Sequence, residues 1–88
     1  MKEFTLVIST PDGNKFEGNI IAFFARGIDG DFAILANHSP FVTALKECDI
    51  RFETENGKEF KGHCKGGIVT VSKKNTILLS ATFEWINK

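Results

Sequence analysis

The side chains best suited to chemistry are few in this 88-residue chain: Cys48, Cys64, His38 and His63. Zinc sites are built from such residues, but they need pairs at C-x-x-C or H-x-x-x-H spacing, which place two ligands on one side of the metal. No pair here has that spacing. His63 and Cys64 are adjacent, so on a strand they point to opposite faces. No metal site is expected. A cysteine nucleophile would need an activating context such as a helix N-terminus, and neither thiol has one. The acidic residues fall at turns and strand edges, without the paired arrangement of an acid/base couple. Gly27 and Gly30 are too close for a phosphate cradle, and no G-K-[ST] sequence follows. Asn37-His38-Ser39 reads as a glycosylation sequon, but Pro40 comes next and no secretion signal accompanies it. Phe23, Phe24, Phe52 and Phe60 could stack bases on a sheet. Nucleic acid is nevertheless not expected, because Lys+Arg and Asp+Glu are 11 each and the formal net charge is +0.

The elements that would carry these residues are strands. Phe4, Leu6 and Ile8 alternate with Thr5, Val7 and Ser9, the period-2 pattern of a half-buried strand. Thr10-Pro11-Asp12-Gly13-Asn14 is a turn cluster. Phe16 to Ala25 reads as one extended stretch, apolar on both faces at Ile20-Ile21-Ala22-Phe23-Phe24. Short strands are predicted at Phe32–Leu35, Phe41–Leu45 and Ile50–Thr54. Asn56-Gly57 then predicts a hairpin, with both residues central in the turn. The return strand sets Phe60, Gly62 and Cys64 on one face and Glu59, Lys61 and His63 on the other. Gly66-Gly67 breaks or bends the sheet, and Ile68–Val71 with Thr76–Ala81 forms a last hairpin. No window has the apolar spacing of a helix. About eight to ten short strands in a single all-β domain point to a sandwich or a barrel.

Composition is that of a globular domain, 42% hydrophobic and 25% charged. No apolar run approaches the ~20 residues of a membrane-spanning helix. Met1-Lys2-Glu3-Phe4 does not resemble a secretory or organellar leader, so both cysteines are expected as reduced thiols. Nine phenylalanines and no tyrosine suit a dry core or a surface covered by another protein. For Phe23 both readings are open.

The stretch Gly30-Asp31-Phe32-Ala33-Ile34-Leu35-Ala36-Asn37-His38-Ser39-Pro40-Phe41-Val42-Thr43-Ala44-Leu45 resembles the signature of the epsilon subunit of rotary F-type ATP synthases. That signature reads approximately Gly-Glu-Phe-Gly-Ile/Val-Leu-Pro-Gly-His-Ala-Pro-Leu-x-Thr-x-Leu. Lys65-Gly66-Gly67-Ile68-Val69-Thr70-Val71 and Asn75-Thr76-Ile77-Leu78-Leu79-Ser80-Ala81-Thr82 resemble two further family motifs, in collinear order. The departures are Ala33 for a usual Gly, Ala36-Asn37 for Pro-Gly, and Cys48-Asp49 where Pro-Gly is common. Asn37 tolerates the left-handed region and can keep its turn.

The resemblance implies a flattened β-sandwich of two roughly five-stranded sheets over residues 1–82. Residues 83–88 are then a tail where the family's C-terminal helical hairpin would begin. It implies a non-catalytic central-stalk subunit that links the gamma shaft to the c ring and couples rotation to ATP synthesis. No cofactor is expected, and no ATP binding without the helices. The place would be peripheral, on the cytoplasmic side of a bacterial cell membrane. By the same resemblance, Asp31 and His38 would meet the c ring, and the edge near Thr10 and Thr43 would face gamma. Gly30, Asn37, Pro40, Gly66 and Gly67 would shape turns. Gly30 is expected at positive φ. Trp85 and Ile86 are expected to fold back over the sandwich. The alternative is a free-standing β-sandwich that binds proteins without belonging to that complex.

Overall fold

A computed structural model describes residues 2–36, 39–73 and 75–87. Every regular element among them is a strand: β1 (Phe4–Thr10), β2 (Gly13–Ile20), β3 (Ala22–Gly27), β4 (Gly30–Leu35), β5 (Phe41–Glu53), β6 (Glu59–Val71), β7 (Asn75–Leu79) and β8 (Glu84–Asn87). One hydrogen-bonded path runs β2-β1-β7-β6-β5-β3-β4, and β8 adds to β6. All pairs are antiparallel except β1 with β7.

The path is folded onto itself. Three strands separate β2 from β5 along it, yet the Phe16 and Phe52 rings lie 4.6 Å apart. The 13-residue strands β5 and β6 make this possible, because each serves both layers. The Phe41–Leu45 half of β5 pairs with Gly67–Val71 of β6, which continues to β7. The other halves pair with each other while β5 reaches β3 and β6 reaches β8. Layer one is therefore β2, β1, β7 and one half each of β6 and β5. Layer two is β4, β3, the other halves and β8. Counted this way, each layer has five strands, as the sandwich reading requires.

Three local differences from the sequence reading have physical causes. The run Phe16–Ala25 is two strands, because the chain changes layer at Ile21, whose N–H donates to the Glu53 carbonyl at 2.8 Å. The two short strands expected at Phe41–Leu45 and Ile50–Thr54 are one bent strand. The third difference is the Asn56-Gly57 turn. Gly57 N–H donates to Thr54 O at 3.0 Å and Thr54 N–H to Lys58 O at 2.9 Å. Glu55 and Asn56 are thus central, and Gly57 follows at φ 86°. This three-residue loop keeps Ile50 opposite Gly62. A two-residue loop would have shifted the register by one and set Ile50 against His63, apolar against polar.

The core lies between the layers. Leu6, Ile8, Ile20, Phe23, Phe52, Val69 and Leu78 are fully buried. None of the nine phenylalanines is exposed. Phe23 is therefore core, and the phenylalanines are not the partner-facing surface. Trp85 on β8, within the stretch read as a tail, packs 5.1 Å from Phe83 and 5.9 Å from Phe60. Ile86 does not fold back and stays exposed. The bend of β6 is at Gly66, with φ 109°. At Gly67 a Cβ would overlap the Leu79 carbonyl oxygen, so only glycine lets β7 lie this close.

Candidate interaction surfaces

Alternation in layer one sends Val42, Ala44, Ile68, Thr70, Ile77, Leu79, Val7 and Ser9 outward. Register aligns them in two rows across the strands, Val42–Thr70–Ile77–Val7 and Ala44–Ile68–Leu79–Ser9. Val42 is 66% exposed, Leu79 50% and Ile68 49%. The patch has no charged side chain until Glu17 on the edge strand β2. Sequence reading missed it. Its signal was present in the apolar outward positions of Ile68-Val69 and Ile77-Leu78-Leu79, where two-sided apolar strands indicate two covered faces.

Thr10 and Thr43 both project to the inner side of layer one. Thr10 is buried, its hydroxyl donating to Gly13 O at 3.2 Å and accepting from Asp12 N–H at 3.3 Å. It holds the β1–β2 turn. Thr43 is half-buried opposite Val69. Thr10 also borders a groove of about 710 Å³ that runs past Gly66, Gly67, Ile68 and Leu79, so this edge opens onto the apolar patch.

Asp31 stands at the other extreme, exposed near the tip of the β3–β4 hairpin. Arg26 lies directly across from it, Nε 2.7 Å from its carboxylate. That hydrogen bond and charge hold the Asp31 carboxyl below the usual range and raise the Arg26 guanidinium. Gly30, one residue before Asp31, has φ 124°, as expected, with nothing near its Cβ position. The tip between them carries exposed Ile28. Asn37 and His38 lie outside the described residues. Pro40 is exposed at the entry to β5.

The outer face of layer two is ionic along β5 and β6. Arg51 bridges Glu53 at 2.8 Å and Glu59 at 3.0 Å, and sits 4.0 Å over the Phe24 ring. His63 is held by Asp49 at 2.7 Å and Glu47 at 3.1 Å, and both raise its pKa. No group of three or more His, Cys, Asp or Glu among the described residues is arranged to hold a metal. Among the described residues no helix is long and apolar enough to cross a membrane.

Residues 3–86 match the family described as the beta-sandwich domain of the ATP synthase delta/epsilon chain. The chain belongs to this family. The ATP synthase epsilon chain of Brevibacillus brevis is 34% identical over 84 residues, covering 96% of this chain and 64% of that protein. The ATP synthase epsilon chain of Chlorobaculum tepidum is 37% identical over 79 residues, covering 90% of each. The chain thus spans less than two-thirds of the first relative and nearly all of the second. Among solved structures, a chain of the Euglena gracilis mitochondrial ATP synthase, in a complex of OSCP, F1 and c-ring, superimposes with a TM-score of 0.89. At 20% identity, over 94% of this chain and 53% of that one, it shares the fold.

Proposed function

We propose that this chain serves as the epsilon subunit of a proton- or cation-translocating F-type ATP synthase. In that role it carries no catalytic residue, links the gamma shaft to the c ring and transmits rotation. The observation that carries this reading is the family match over residues 3–86, together with relatives named ATP synthase epsilon chain. The place that follows is peripheral, on the cytoplasmic face of the membrane that holds the ring.

The surfaces fit a part clamped between two partners. A folded sandwich joined by two continuous bent strands resists shear, as a coupling element must. The apolar face of layer one, with the groove edge at Thr10 and with Thr43 nearby on β5, suits burial against gamma. The Asp31 hairpin and the segment containing His38, before Pro40, suit the polar loops of the c ring. A basic loop there would share Asp31 with Arg26, a pair in open solvent that adds little to affinity. Co-purification of the native chain is the test. Recovery with gamma and c-ring subunits supports the role, and Asp31→Cys should cross-link to c while Ile68→Cys cross-links to gamma. Recovery of the chain alone favours a free-standing binding module.

A further inference from the structure

Cys48 and Cys64 are direct partners in the β5–β6 register. Opposed residues of an antiparallel ladder have Cα atoms about 4.5–5.5 Å apart, inside the ~4.4–6.8 Å that a disulfide spans. Both side chains turn to the same inner face, and both are free thiols. They face each other across the ladder inside one core cluster, near enough for Cys48 to bear on the Cys64 thiol.

The two differ in access. Between Phe24 and Gly27 three steps of β3 run beside six steps of β5, from Arg51 to Leu45, so the strands part. The gap forms a groove of about 790 Å³ bordered by Phe24, Arg26, Phe32 and Arg51, and Cys48 lies in its wall. Cys48 is 9% exposed and Cys64 0%. Burial pushes the Cys64 thiol up, which keeps it protonated and unreactive until an oxidised partner is beside it. A small oxidant therefore meets Cys48 first.

We propose that Cys48 and Cys64 form a peroxide-sensitive dithiol that closes to a disulfide and staples β5 to β6 beside the bend at Gly66. Cys48 sulfur attacks one oxygen of hydrogen peroxide and the O–O bond breaks. The thiol becomes a sulfenic acid, and the second oxygen leaves as water with the thiol proton. Cys64 sulfur then attacks Cys48 sulfur. The S–O bond breaks, the disulfide forms, and the sulfenic oxygen leaves as a second water with the Cys64 proton. Two thiols are oxidised and one peroxide is reduced to two waters. The link closes a loop over residues 49–63 and pins the point where β5 and β6 pass between layers. Constraining the unfolded chain in this way should raise the thermal midpoint by roughly 5–15 °C.

The test uses the 88-residue chain, treated with excess hydrogen peroxide, alkylated under denaturing conditions and weighed intact. The expected product is about 2 Da lighter than the reduced chain, takes up no alkyl group, melts higher, and reverts with dithiothreitol. Urea-unfolded chain, treated in parallel, should close at least about ten-fold more slowly, because the fold supplies the proximity. In Cys64→Ala, dimedone should trap the Cys48 sulfenic acid and no internal link should form. Two alkylated thiols after treatment, a Cys48 that stops at sulfinic acid, a link only between chains, or equal rates folded and unfolded would each overturn the proposal. The wild-type measurements decide it even if Cys64→Ala does not fold.

Discussion

The two outer faces of the sandwich obey the same alternation and carry opposite chemistry. Along the β5 and β6 halves of layer two, outward positions are Glu47, Asp49, Arg51, Glu53, Glu59, Lys61 and His63, and they satisfy one another in ion pairs, while apolar Leu35 and Ile86 are exposed only on the flanking strands β4 and β8. Across the middle of layer one they are Val42, Ala44, Ile68, Ile77, Leu79 and Val7, with Thr70 and Ser9 uncharged among them. A face that neutralises itself is finished in water. An apolar face of this extent is stable in water only at a cost, and it is the kind of surface a protein partner covers. The inner faces show no such contrast, since β5 and β6 run through both layers and one core serves them. Partner chemistry is thus written in the outward residues alone.

The strongest way to break the comparison is to remove what the layers share. Phe52 is fully buried, stacked 5.2 Å from Phe60 and packed on Phe16 of the opposite layer. Phe52→Ala should cost about 3–5 kcal/mol in urea unfolding, with one cooperative transition for both layers. A loss below about 1 kcal/mol would mean that the layers hold independently.

A gentler change separates the faces. Leu79→Glu places a charge at a half-exposed site, so stability should change by less than about 1 kcal/mol. Binding of gamma should weaken by about ten-fold or more if layer one is the covered face. Glu59→Ala on the other face leaves Arg51 its bond to Glu53 and should leave binding unchanged. Equal losses from both would remove the distinction. Gly30→Val tests the hairpin tip. Its φ of 124° disfavours any side chain, yet nothing crowds the site, so the cost is backbone strain of about 1–3 kcal/mol confined to the tip. The Asp31–Arg26 pair and c-ring capture should suffer first. Normal capture would show that the tip is not a contact.

Much of this was legible in the residues because alternation fixes a face before it fixes a partner strand. Phe4-Leu6-Ile8 was readable as one buried edge, and Arg51, His63 and Lys61 as outward. Layer assignment was not readable. Ile21 looks like the middle of an apolar run and is the crossing point. The pairing of Cys48 with Cys64 was not readable, because a two-residue turn at Asn56-Gly57 would set Cys64 opposite Asp49. One extra loop residue brings the sulfurs together. Among the candidate contacts, Asp31 lies exposed near a hairpin tip. Thr10 continues the inward series Phe4-Leu6-Ile8, and its hydroxyl is taken up by the β1–β2 turn. The apolar patch was passed over because phenylalanine drew attention as the sticky residue, whereas the exposed positions are aliphatic.

The smallest expected effect concerns how layer two keeps itself neutral. His63 sits between Asp49 and Glu47, with Glu84 across the β8 ladder, and the two hydrogen-bonded carboxylates raise its pKa above the ordinary imidazole value. Because the folded pKa exceeds the unfolded one, the charged imidazole favours the folded state. That contribution is complete below the unfolded value near pH 6.5 and is lost as pH rises through the folded value. His63→Gln removes the titration and keeps a polar side chain. The stability difference between wild type and variant should therefore be larger near about pH 6 than near about pH 8.5, with other titrations cancelling in the subtraction. Proton NMR of the His63 ring should show a midpoint above that of a free histidine. Since the ring is partly in water and salt screens its partners, the difference should shrink at high ionic strength. A difference that grew with pH would mean that His63 is better held neutral, and that layer two does not balance its charge in the way its outward residues imply.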